Sequence, residues 1–406
     1  MTDVLVVGGG AAATAASLAA RAAGASVRVV LGGSGASALA SGALDAVPWE
    51  TSDLGDAREG PPVDEAAAPV LDALGIYDVG ERAQLLATTA GIVRPARGRD
   101  ASLLDLATVR AGAVLLPRCD QHGWDATALA RAWNDAPRAR ARSLTFVPVD
   151  AQITRFREER TLRDAEIAAR HDDPERVAWL AERLRDVLAR GGDFVAVLLP
   201  PWLGAEAPRA RALTDLVGIP CGECMGQLAG PAGPRFQRAR DKALAAAGVD
   251  RVDGWVRAIA ADDGGALHVE LEDGTALTAA RVVLACGGVL GGGVRYDPSG
   301  ALVGGPMPSA ARATFSFSID GIGRPGAEGR SLDLPGSLFG APPEALAWPF
   351  ATDPLLDRVG MPIDADGRAL SGPAGLFACG DVAADRPRTW LEALVAGARA
   401  GSRAAT

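Results

Sequence analysis

Lysine is almost missing from this chain. Lys242 is the only one, and the remaining positive charge is arginine. With alanine and glycine so abundant, that pattern reads as codon bias, and the arginine count alone says nothing about anionic ligands. Basic stripes are also lacking, and at a net charge of −9 the chain is unsuited to neutralising nucleic-acid phosphates. No apolar run is long enough for a membrane span, and no cleavable signal precedes the first strand, so a cytoplasmic protein is expected. Any membrane attachment would be peripheral, on the inner face of the cell membrane and through a partner subunit. The five cysteines, Cys119, Cys221, Cys224, Cys286 and Cys379, are odd in number and scattered. They make neither a disulfide framework nor the closely spaced run that holds an iron–sulphur cluster. Three histidines, His122, His171 and His268, show no paired ligand spacing, so no metal site is expected.

What is present begins near the first residue. Val4 to Val7 is a continuous apolar run, as a parallel strand buried on both faces requires. Gly8, Gly9 and Gly10 follow, and then Ala11, Ala12 and Ala13 open an Ala-rich helix. Gly8 permits a tight turn, Gly10 lets the backbone approach a pyrophosphate, and Ala13 replaces the third glycine where helix and strand pack closely. The helix N-terminus offers N–H groups and a partial positive charge to a phosphate. Val27 to Leu31 completes a βαβ unit. One part of the nucleotide-binding fingerprint is absent. Where an Asp or Glu usually grips the adenosine ribose, the chain has Leu31, Gly32 and Gly33. A cofactor without adenosine, flavin mononucleotide, is therefore the first expectation, with FAD held by other groups as the alternative.

The 406 residues allow two domains with proper cores. The small-residue loop from Gly32 to Asp45 is followed from about Val47 by a poorly patterned stretch, read as the start of an insertion. Inside it, Asp173-Pro174-Glu175 starts a helix with apolar spacing through Val177, Leu180, Leu184 and Val187, and Gly191-Gly192 ends it. Phe194 to Leu199 reads as a buried strand, and a helix runs from about Arg235 to Ala247. Trp255–Ala260, Leu267–Leu271 and Thr275–Thr278 read as an antiparallel meander. A separate apolar strand from Arg281 ends at Gly287 and Gly288. The following sequence supplies no helix, which excludes a second nucleotide fingerprint. Leu376 to Asp381 is a third strand-to-glycine element, and a helix follows from about Trp390. The expected fold is α/β: a Rossmann-like flavin-binding domain with a parallel sheet and an antiparallel meander, interrupted by an inserted α+β domain. Residues 1–50 and 235–406 form the flavin-binding domain, and residues 51–234 form the inserted or cap domain.

The Gly8-Gly9-Gly10 cradle, the meander, Val282-Val-Leu-Ala-Cys-Gly-Gly288 and Leu376-Phe-Ala-Cys-Gly-Asp381, in this order, resemble the two-dinucleotide-binding-domain flavoproteins of the fumarate reductase and glutathione reductase superfamily. The resemblance implies that Asp381, with Gly380, holds the ribityl or phosphate region and that Gly287 lies against the cofactor. Length, the Ala40-Ser-Gly-Ala-Leu-Asp45 loop, Val197-Leu-Leu-Pro-Pro-Trp-Leu-Gly204 and Gly233-Pro-Arg-Phe236 further resemble the B subunits of anaerobic glycerol-3-phosphate dehydrogenases. That likeness implies an FMN-holding subunit. It would work beside a catalytic FAD subunit and an iron–sulphur subunit of a membrane-associated dehydrogenase that feeds the quinone pool.

A flavin asks its protein for phosphate donors, a flat seat for the ring and groups that tune it. The backbone from Gly8 to Ala13 supplies the first. Ser41 and Gly42 are the candidates for the ring, a hydroxyl and a bare backbone that can approach N5, against the plain alternative of a turn. Cys221-Gly-Glu-Cys224 has dithiol redox spacing, but two ordinary small residues in a loop that caps the Gly233 helix is the simpler reading. Arg235 either reaches an anion or, by default, forms a surface ion pair. No catalytic acid or base can be assigned, which favours electron relay over substrate oxidation. A stand-alone flavin dehydrogenase of a small organic substrate, and a structural subunit with an empty cradle, remain the alternatives.

Overall fold

Val4, Leu5 and Val6 are wholly buried because both faces of their strand are covered. The strand, β1 (Thr2–Val7), is followed by α1 (Ala11–Ala22) and β2 (Val27–Leu31). In this computed structural model, residues 2–45, 65–289, 291–297, 316–320, 322–323, 331–333 and 359–406 are described. Two compact units divide the chain. Met1–Ala36, Asp64–Val70 and Ala243–Thr406 form the first, and Ser37–Val63 with Leu71–Lys242 form the second. The expected boundary after residue 50 lies outside the described residues, and the one at 235 falls within the helix Ala232–Ala246.

The first unit is a Rossmann-like mixed sheet. It adds β3 (Asp250–Asp253), β4 (Val256–Ala261), β5 (Leu267–Leu271), β6 (Ala276–Leu284), β7 (Leu376–Ala378) and the helix α2 (Trp390–Ala404). Its parallel part runs β3, β2, β1, β6, β7, with Val4 opposite Val27 and Arg281, and Val282 opposite Leu376. The third meander strand and the apolar strand after it, expected as separate pieces, are one strand. Thr278-Ala-Ala-Arg281 contains neither glycine nor proline, so nothing breaks it. The first half of β6 pairs antiparallel with β5 and the second half pairs parallel with β1 and β7. One face of the sheet is packed with Leu267, Val269, Leu271 and Leu277 from the meander, the other with Ala12, Ala16, Ala20 and Ala400 from the helices.

Alanine makes α1 a strong helix, and it leaves the helix slim. α2 exploits this: a Cβ on Gly397 would overlap the Ala12 carbonyl, and one on Gly401 the Ala16 carbonyl. The two helices thus touch backbone to backbone, one turn apart at both contacts.

The second unit has a wholly parallel four-stranded sheet, ordered Leu144–Asp150, Gly112–Arg118, Phe194–Leu199, Cys221–Glu223. Its helix Pro174–Ala189 starts as expected. Asp173 accepts from the Glu175 amide at 2.9 Å, and Val177, Leu180, Leu184 and Val187 are buried. A smaller antiparallel sheet joins Ala43–Leu44, Val93–Asp100 and Tyr77–Ala87.

Candidate functional site

Three adjacent parallel strands, β1, β6 and β7, end together, and a glycine follows each within three residues: Gly8, Gly287 and Gly380. At Gly8 the backbone φ is +135°, and a Cβ there would overlap the Ala285 carbonyl oxygen. Only glycine lets the two strand ends approach this closely. The Ala285 amide donates to Val7 O at 2.8 Å, and the Gly8 amide to Val30 O at 2.9 Å, locking the turn between its neighbours. Gly10 is the N-cap of α1 in extended conformation, and no side chain caps the helix. The cap position is thus backbone alone, and a helix N-terminus of this kind suits a phosphate.

The C-terminal motif is brought to the same place. Gly380 has φ +69°, and a Cβ on it would stand 2.7 Å from Cβ of Ala12. Gly380 and Asp381 therefore lie beside the first turn of α1. Burial raises the Asp381 carboxyl above the usual carboxylate range, and the Arg388 charge partly offsets this. Arg388 was not foreseen. Its guanidinium donates to Asp381 O at 2.6 Å and to Val359 O at 2.5 Å, and a Cβ on Gly288 would collide with it. It ties the loop after β7 to the segment at Val359 and lies against Gly288 in the loop after β6. No side-chain pattern marked it, because its partners are backbone carbonyls, which any residue type carries.

Gly8, Gly9, Gly10, Ala11, Ala12, Ala13, Gly287, Gly380 and Asp381 thus all belong to the C-terminal edge of the parallel sheet in the first unit. Ser41 and Gly42 belong to the second unit. There the Gly42 carbonyl accepts from the Asp100 amide at 2.7 Å, and the residue packs on Asp100, Leu103 and Ala232. The cradle fits a flavin dinucleotide at the atoms where a phosphate must sit: bare backbone at Gly8, an uncapped helix start and small side chains at Ala11 to Ala13.

Arg235 is neither a surface ion pair nor aimed at a ligand. It is fully buried, donating from Nε to Asp100 Oδ2 at 2.7 Å, from Nη2 to Glu223 and from Nη1 to the Gly204 carbonyl. Glu223 also accepts from the Leu203 amide at 2.7 Å, and Asp100 from the Ser102 amide at 2.8 Å. One guanidinium therefore ties a strand end, a strand and a loop to its own helix. Sequence alone missed this because Asp100 lies 135 residues away and Glu223 sits on a separate strand. The dithiol reading of Cys221 and Cys224 also fails. Three residues apart on an extended segment they face opposite ways, Cys221 into the core around Leu180 and Trp202 and Cys224 into the one around Leu198 and Leu104. Burial pushes the Cys221 thiol up to about 12 and Cys224 well above its ordinary value, so neither is a reactive thiolate.

Two buried groups of the second unit make its stability depend on pH with opposite signs. Burial pushes Glu223 up to about 7. The folded state then holds its proton more tightly than the unfolded chain, so this contribution is complete below 4.5 and is lost as pH rises through about 7. Burial pushes His171, whose Nδ1 donates to Ile167 O at 3.0 Å, down to about 4. Its contribution is complete above 6.5 and is lost as pH falls through about 4. Between pH 4.5 and 6.5 the two oppose each other, and the unfolding free energy of the native protein should be nearly flat. Glu223→Gln should unmask the histidine, giving stability that rises by up to ~1.4 kcal/mol per pH unit across this window. Urea unfolding from pH 4 to 8 checks this, and equal slopes for both proteins would count against it.

Among the described residues no helix is long and apolar enough to cross a membrane, and no group of three or more His, Cys, Asp or Glu is placed to hold a metal. Residues 3–75 match the family model described as FAD binding domain. The chain matches no curated protein. Among solved structures it is similar to the open conformation of a flavocytochrome c3 fumarate reductase, at 13% identity over 100% of this chain and 78% of that one, TM-score 0.40. It is similar to 3-ketosteroid delta1-dehydrogenase from Sterolibacterium denitrificans, at 13% identity over 100% and 99% of the two chains, TM-score 0.40. It is also similar to the Sdh1 complex of Mycobacterium smegmatis, at 15% identity over 100% and 68%, TM-score 0.34. The matched domain is described by FAD, so the expectation of FMN, drawn from Leu31, gives way to FAD.

Proposed function

We propose that the protein is a FAD-holding oxidoreductase subunit that relays electrons from sn-glycerol 3-phosphate oxidation. In this reading it works beside a catalytic FAD subunit and passes electrons to an iron–sulphur subunit serving the quinone pool, peripheral to the inner face of the membrane through those partners. The observation that carries the flavin part is the convergence of Gly8, Gly287 and Gly380 at three neighbouring strand ends, with Asp381 beside the uncapped helix. A bound flavin supplies the chemistry, taking electrons in pairs and releasing them singly. The chain's part is to seat the phosphates at Gly8 to Ala13, present Asp381 at the strand ends and hold that turn through Arg388.

What supports relay over substrate oxidation is that, among the described residues, no histidine stands at this edge. His268, the first unit's only histidine, pairs with Asp262 at 2.9 Å and lies opposite Thr278, at the N-terminal end of β1. That is the far end of the strand from Gly8, on the order of 20 Å away at about 3.3 Å per residue.

The test is to purify the protein under native conditions, release and chromatograph its flavin, and assay dye reduction with glycerol 3-phosphate before and after its partners are stripped. The expected result is one FAD per chain, a copurifying iron–sulphur protein, and no turnover by the isolated chain. Turnover by the isolated chain would make it a stand-alone dehydrogenase. A colourless protein that takes up no flavin would make it a structural subunit. Stoichiometric FMN would restore the reading first drawn from Leu31.

A further inference from the structure

The ribose carboxylate missing after β2 leaves a question that the structure answers with a different kind of group. Leu31 is buried at the end of β2, and its carbonyl accepts from the Gly254 amide at 3.0 Å. Immediately beyond, the indole of Trp255 lies on Gly32 and Gly33. A Cβ on Gly32 would stand 2.8 Å from Cδ2 of Trp255, and one on Gly33 3.6 Å from Cζ2. The glycines are thus a floor on which the ring rests, and a carboxylate-bearing residue at position 32 would displace it. The neighbouring carboxylate, Asp253, opposite Leu31 in register, is held by Arg251 at 2.7 Å. The place where adenosine would be gripped therefore has an aromatic face in place of a free acid.

Trp255 is 57% exposed, a large apolar ring left in water, while Trp133 and Trp202 are buried completely or nearly so. It also lines a cavity of about 340 Å³ with Val7, Leu284 and Cys286, at the same C-terminal edge of the sheet as Gly8. The exposed indole offers a purine a broad stacking surface independent of base-edge hydrogen bonds.

We propose that Trp255 is the adenine-stacking residue of a FAD site, taking the place of the missing ribose carboxylate in holding the adenosine half. The proposal rests on the FAD reading above. It makes this chain's discrimination between FAD and FMN depend on one side chain, since FMN has no adenine to stack.

The experiment strips the flavin from the purified protein and titrates the apoprotein with FAD and, separately, with FMN, following flavin fluorescence and the heat of binding. Trp255→Ala should weaken FAD about tenfold or more and leave FMN affinity unchanged, the size expected for loss of one base–aromatic contact. Trp255→Phe should recover most of the FAD affinity, which keeps the test sound if the alanine variant folds poorly. FAD affinity unchanged in Trp255→Ala would overturn the stacking role, and so would equal weakening of FAD and FMN, the mark of a merely structural residue. If the wild-type apoprotein binds neither flavin, the FAD reading itself fails and the stacking role falls with it.

Discussion

Arg235→Ala is expected to destabilise the second unit by about 3–5 kcal/mol, the usual cost of removing one partner from a buried ion pair. The loss comes from the two carboxylates left behind, not from the net worth of the pair. Asp100 and Glu223 are 0% and 1% exposed, and among the described residues the cation that both carboxylates meet is this guanidinium. Neighbouring amides at Leu203 and Ser102 satisfy one oxygen of each, which is too little to hold two like charges apart from water. Relief would come by proton uptake, and Glu223, already pushed up to about 7, takes the first proton. The defect should therefore be larger at pH 8 than at pH 5, a sign that no cavity or packing explanation predicts. Arg235→Lys should fall between, since a point charge cannot reach both carboxylates and the Gly204 carbonyl as the planar fork does. Denaturant unfolding of the three proteins at both pH values decides it. A loss below ~1 kcal/mol at pH 8 would mean that the cluster tolerates its own neutralisation.

Gly397→Ala is expected to destabilise, against the general trend for glycine in a helix. Within a helix, glycine to alanine ordinarily gains about 0.5–1 kcal/mol. Here the new methyl would overlap the Ala12 carbonyl oxygen, and overpacking of this kind costs about 1–3 kcal/mol, so the steric effect outweighs propensity. Gly401→Ala meets the Ala16 carbonyl in the same way, and its cost should be similar. Function separates the two. Ala12 belongs to the first turn of α1, the proposed phosphate seat, whereas Ala16 lies one turn beyond. Gly397→Ala should therefore reduce the flavin retained after desalting several-fold more than Gly401→Ala does, at matched thermal stability. Equal flavin loss in both variants would show that helix separation, not the geometry of the first turn, governs cofactor binding.

The geometry of the candidate site was legible from sequence where it depended on backbone freedom. Gly8 and Gly380, expected as cofactor glycines from their motifs, take φ values that favour glycine. Groups that act through long-range partners gave no such signal. Arg388 works through carbonyls at Val359 and Asp381, and the Trp255 ring rests on residues more than two hundred positions earlier. Arg235 read as a surface residue because its pattern is that of any amphipathic helix, and only the fold brings Asp100 and Glu223 to it.

By itself the sequence determined the βαβ start, the glycines just past the strand ends and the Asp173-capped helix, because periodicity, capping and backbone conformation are local properties. Only the tertiary structure decided that β6 is one strand serving two pairings, that Cys221 and Cys224 look into different cores, and that an indole stands where a carboxylate was missed. Burial and contact depend on the whole chain, and the chemistry of an arginine, a thiol or a tryptophan is set by what surrounds it.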